Sequence, residues 1–151
     1  MKSNDNSGVL MSLCIRTAIA AAMFVVATTP IFAGEPSPPG AKEYIIWPKD
    51  GALIKGGKFW LRMGLANMGV APAGVAKPET GHHHLLIDVG LPPLDEPIPN
   101  DANHLHFGKG QTEVRLELPP GKHTLQLILG DKDHVPHSPP VYSEKISITV
   151  E

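Results

Sequence analysis

From Thr112 to the end of the chain, apolar residues fall at every second position. Thr112, Val114, Leu116 and Leu118 alternate with Glu113, Arg115 and Glu117; Leu125, Leu127 and Leu129 alternate with Thr124, Gln126 and Ile128; Ile146, Ile148 and Val150 alternate with Ser147 and Thr149. A period of two places one set of side chains in a core and the other towards water, which is the signature of β-strands. Pro119-Pro120-Gly121 separates the first two runs, and residues 131–140 form a loop before the third. Upstream, Tyr44-Ile45-Ile46-Trp47 reads as a strand closed by Pro48 and the turn pair Asp50-Gly51. Residues 58–65 read as a second strand, with Phe59, Leu61 and Met63 on one face, and residues 82–89 as a third, with Leu85, Ile87 and Val89 on one face. Residues 67–78 are a Gly/Pro/Ala loop, and residues 91–103 carry four prolines and are irregular. No helical period of useful length is present. The expectation is an all-β, immunoglobulin-like β-sandwich of six to seven strands, with a barrel of similar strand content as the alternative. His123, two residues after Gly121 at the start of a long strand, takes the place of the ring in a tyrosine corner.

The N-terminal region has a different composition. Lys2 and Arg16 precede an uncharged run over 17–34 that is continuously apolar over 18–27, and Ile31-Phe32-Ala33 ends it with a small residue. That order predicts a secretory signal over 1–33 and a periplasmic or secreted location, without stable membrane association after cleavage. A span is the rival, but Pro30 lies inside a run at the lower limit of length. Cys14, the single cysteine, precedes the apolar run and is misplaced for lipid attachment. The chain from Gly34 has no cysteine, and its 118 residues can bury enough surface to fold without staples. Residues 34–43, with Glu35-Pro36-Ser37-Pro38-Pro39-Gly40, read as a linker, and residues 44–151 as one domain. Without Lys2, Arg16 and Asp5 the chain keeps 11 basic and 14 acidic residues. That balance argues against nucleic acid and anionic membrane as partners.

All eight histidines lie beyond residue 33, seven of them in three groups: His82-His83-His84, His104 with His106, and His134 with His137. On strands, His82 and His84 share one face, and His104 and His106 share the face opposite Leu105 and Phe107. Imidazoles two apart are about 7 Å apart along a strand and can grip one ion or meet a pair from a neighbouring strand. Imidazole suits copper and zinc, in its neutral form. The metal candidates are therefore His82, His84, His104, His106 and His134, with Met68 as a soft ligand for Cu(I). Met63 belongs to a core face instead. His83 is expected to cap the core edge on a backbone carbonyl, and His123 and His137 to be structural. Asp88 falls on the face of His82 and His84, and Asp131 and Asp133 flank His134; each is either a carboxylate partner for a ligating ring or a loop-turn residue.

The segments over 67–74, Gly81-His82-His83-His84-Leu85-Leu86-Ile87-Asp88, 104–113 and 118–134 resemble a family of small exported bacterial domains of unknown function. The resemblance runs from about Tyr44 to Val150. It implies a compact exported domain whose signature is built from histidine, glycine and proline, and it supplies no activity. No nucleophile elbow, phosphate loop or dinucleotide glycine pattern is present, so the domain is not expected to be an enzyme. The sequence thus predicts an exported domain that takes up a copper or zinc ion for capture or handover. The alternative is a structural or interaction module of the cell envelope, with an envelope protein as partner and its histidines in a hydrogen-bonded cluster.

Overall fold

The computed structural model describes residues 34–151; the expected signal over 1–33 lies outside them. Nine strands follow one another: β1 (Lys42–Trp47), β2 (Leu53–Ile54), β3 (Lys58–Ala66), β4 (Gly69–Val70), β5 (Thr80–Ile87), β6 (His104–His106), β7 (Glu113–Glu117), β8 (Gly121–Gly130) and β9 (Ile146–Val150). They form two sheets. One is β1-β3-β7, antiparallel throughout. The other runs β2-β9-β8-β5, with β4 and β6 both paired to β5 along its remaining edge. The architecture is an immunoglobulin-like β-sandwich, as the alternation predicted. Strands β2 and β4 were not legible, because two residues carry no period; both pair in parallel with longer strands.

The inner faces meet in one core. Phe59, Leu61 and Met63 of β3 and Leu116 of β7 pack against Leu85, Ile87, Leu125, Leu127, Ile146, Ile148 and Val150 of the other sheet. Met63 is a core residue, and so is Phe107, just past β6.

The outer face of the larger sheet departs from the simple pattern. Every residue of β5 is buried, and so are the last six of β8. The loops over 91–103 and 131–143 cover that face. Ile98 packs on Leu86 and Ile128 in a second small apolar cluster. Segment 141–143 runs along β8 beyond the end of β9: Leu129 N–H donates to Val141 O (2.9 Å) and Leu127 N–H to Ser143 Oγ (2.9 Å). The proline-rich loops thus form a third layer, and the outward-facing histidines of β5 lie beneath it.

Two sequence readings change here. His83 does not cap the core edge on a carbonyl. It lies fully buried between the sheets, its Nδ1 2.5 Å from Oε1 of Glu43 on β1, which is equally buried. The segment read as a linker is docked: Glu35 N–H donates to Asp131 Oδ2 (3.0 Å), Ser138 N–H to Glu35 O (3.0 Å) and Ser37 N–H to Ser138 O (3.2 Å).

His123 takes the corner position. Its Nε2 faces Pro119 O at 2.9 Å and its Nδ1 faces Asp88 Oδ2 at 2.7 Å. With an acceptor at each nitrogen, the ring is satisfied as an imidazolium. The hydrogen bond to Asp88 raises its pKa first, against some burial, with the Pro119 carbonyl adding to the rise. A raised folded pKa gives stability that is complete below the unfolded value and is lost as pH rises through the folded one. His123→Ala should therefore cost about 1 kcal/mol at pH 6, solvent screening included, and less at pH 9. Urea midpoints at the two pH values check this; an equal loss at both would remove the charged ring from the account.

Candidate metal centre

The site is built on the outer face of β5. His82 and His84 point to the same side, and the register sets His84 opposite His106 of β6. On the other side of β5, His82 is opposite Gly130 of β8. The turn after β8 brings in His134. The ring centroids of His82, His84 and His106 lie 4.9–5.0 Å apart. His134 lies 4.7 Å from His106, 5.0 Å from His82 and 6.0 Å from His84. Ring nitrogens of His82, His84 and His106 fall within 4.8 Å of one another.

Burial and satisfaction are unusual for polar groups. His82 and His84 have no exposed surface, while His106 and His134 are half-buried and form the open side. Nε2 of His84 lies 3.0 Å from Nε2 of His82. His82 Nδ1, His84 Nδ1 and His106 Nε2 are buried without a hydrogen-bond partner. Buried polar atoms are paired in the great majority of cases, so three orphaned nitrogens in one small volume demand an explanation.

The rings are held neutral. Burial, then the neighbouring His134 and His106, push His82 down to about 4, against the pull of Asp131. Burial, then His82, His106 and His134, push His84 down to about 2. Burial and His134 also lower His106. Neutral imidazole is the form that binds a metal ion.

Glycines make room for these rings. A Cβ on Gly108 would collide with the His106 ring. One on Gly130 would come within 3.0 Å of His84 Nε2 and 3.4 Å of His134 Cα. Gly108→Ala should leave the fold intact but displace His106, weakening copper or zinc binding about tenfold or more. A competition titration beside a melting curve measures both; unchanged affinity would mean that His106 does not ligate.

The remaining candidates lie as follows. His104 shares the face but stands opposite Leu86, where the surroundings are apolar, and its Nδ1 meets Asp101 Oδ1 at 2.9 Å. It is outside the convergent rings. Met68 is half-buried at the joint between β3 and β4. Asp88 does not share the site, because β5 ends at Ile87 and Asp88 takes a left-handed φ of 60°, turning to His123 and to Thr124 N–H. Asp131 is a turn residue: its Oδ1 accepts from Asp133 N–H (2.9 Å) and Val135 N–H (3.0 Å). Asp133 pairs with Lys132 at the surface. His137 is buried and structural, with Nδ1 3.0 Å from Glu35 O. The glycines and the buried Glu43 escaped the sequence reading. The spacing His106-Phe107-Gly108 was the available signal for Gly108; nothing local marked Gly130, which meets His84 across the β5–β8 pair.

Fold and site together define a small β-sandwich carrying a buried histidine cluster under a layer of loops. The chain belongs to the family described as Domain of unknown function (DUF4399), which it matches over residues 61–151. No curated protein matches the chain. Among solved structures it is similar to the fibronectin(III)-like modules of CbhA from Clostridium thermocellum, at 14% identity, with 72% of this chain and 92% of that chain covered and a TM-score of 0.34.

Proposed function

We propose that this chain is an exported envelope domain that binds one transition-metal ion, copper first and zinc second, for capture and handover. His82, His84 and His106 are the ligands on the sheet. The observation that carries the reading is the convergence of their nitrogens within 4.8 Å, with one nitrogen of each ring buried and unpartnered. An ion bound there would take one lone pair from each of three neutral rings that are already gathered. The ligand set is all nitrogen and uncharged, which suits Cu(II) and Zn(II). Titration of the protein, purified without a histidine tag, should saturate at one ion per chain. Burial holds His82 down to about 4 and His84 to about 2, so protons should compete with the ion only as pH falls towards 4. A chain that takes up no copper or zinc at pH 7.5 overturns the reading.

One observation favours a second reading, the structural module. The 3.0 Å approach of His84 Nε2 to His82 Nε2 is a good hydrogen bond between neutral rings. In that case His84→Ala would destabilise the metal-free protein and change no metal affinity.

A further inference from the structure

We infer that His134 is a releasable fourth ligand, the one that opens to let a metal ion in and to pass it on. This rests on the metal-binding reading above. Three rings of the cluster stand on hydrogen-bonded strands: His82 and His84 on β5, and His106 on β6 opposite His84. The fourth does not. His134 sits in the turn after β8 with φ of 70°, a conformation uncommon for residues other than glycine. It is half-buried where His82 and His84 have no exposure, so it stands at the mouth of the site. Its ring is nearest the half-buried His106 and farthest from His84, the deeper ligand.

The turn is held by its ends. Asp131 Oδ1 accepts from Asp133 N–H and Val135 N–H, Asp131 Oδ2 accepts from Glu35 N–H, and Ile98 N–H donates to His134 O at 2.9 Å. The backbone is therefore held by hydrogen bonds, and a turn of the ring about its side-chain torsions would cost no strand pairing. Three ligands on a sheet and one on a turn give the ion a stable seat and one coordination position that opens. Exchange would begin with the metal–nitrogen bond to His134 broken, and the bonds to His106, His82 and His84 would then be replaced in turn by donors of the acceptor. Each incoming nitrogen or sulfur donor supplies its lone pair in place of the one released, and no electron changes hands.

The test compares wild type with His134→Asn, because asparagine tolerates the positive φ and its side chain is too short to reach the ion. Zinc-loaded protein is mixed with a chromophoric chelator, and the rate of zinc transfer is followed beside equilibrium affinity. His134→Asn should still bind one zinc per chain, with affinity about tenfold weaker and transfer about tenfold faster. His84→Ala should lose tight binding altogether. Two results overturn the inference while leaving the metal reading intact: affinity and transfer rate unchanged in His134→Asn, or a loss of binding there as complete as in His84→Ala. A wild-type protein that takes up no zinc removes the metal reading itself, and this inference with it.

Discussion

Replacing Glu43 with alanine should destabilise the protein by about 3–5 kcal/mol, the loss expected when one partner of a buried ionisable pair is removed. Glu43 projects from β1 into the core, where its carboxylate meets His83 Nδ1 at 2.5 Å and neither side chain has exposed surface. Glu43 Oε2 and His83 Nε2 already lack partners. Deleting the carboxylate orphans the second ring nitrogen as well and opens a cavity between the sheets. Burial pushes Glu43 up to about 7, with the hydrogen bond and charge of His83 pulling it back. Glu43→Gln keeps the shape and one hydrogen bond and should cost only about 1 kcal/mol. Urea denaturation of both variants checks the pair; a loss below 1 kcal/mol for Glu43→Ala would put it outside the core.

Acid should destabilise the metal-free protein well before its ordinary carboxylates titrate. His82 and His84 are held down to about 4 and about 2, while the unfolded chain takes up protons near 6.5. Their contribution is complete above 6.5 and is lost as pH falls towards the folded values, at about 1.4 kcal/mol per pH unit for each ring. Glu43 works the other way. Its raised pKa lets the folded state take a proton first, adding stability as pH falls from about 7 towards 4.5. Two rings against one carboxyl leave a net loss, reduced by screening on the side of the half-buried His106 and His134. Between pH 6.5 and 4.5 the loss should be roughly 2 kcal/mol. His84→Leu should remove about half of the histidine contribution. Urea midpoints at pH 7, 5.5 and 4.5 measure the slope, and a midpoint that rises steadily down to 4.5 would contradict neutral, buried rings.

The strands that carry the core were legible because their alternation is strict. Leu125 and Leu127 pack into the core from β8, and Phe59, Leu61 and Met63 do so from β3; Leu129 is buried as well. What the alternation hid was the second buried face. Gln126 and Ile128 read as solvent-facing because the period assigns them away from the core, yet both lie beneath the 131–143 loop. Layers made of irregular chain leave no periodic trace in the strand they cover. The same limit applies at the site. Parity put His82 with His84 on one face of their strand and His104 with His106 on one face of theirs, and it left open whether the two pairs meet. Register decides that: it sets His106 opposite His84 and His104 opposite Leu86, and register is a property of the paired strands. The Glu43–His83 contact joins residues 40 apart on different sheets, and nothing local to either signals the other.

The central claim is that imidazoles of β5 and β6 hold a metal ion. X-ray absorption of the copper- or zinc-loaded protein tests it most directly, compared with the double variant His82→Ala with His84→Ala. Wild type should show three or four nitrogen neighbours at about 2.0 Å, with the outer-shell scattering of imidazole rings. The double variant, which loses the two fully buried rings, should retain no ion after desalting. A wild-type spectrum dominated by oxygen without imidazole scattering, or the same spectrum and loading in the double variant, would contradict the account.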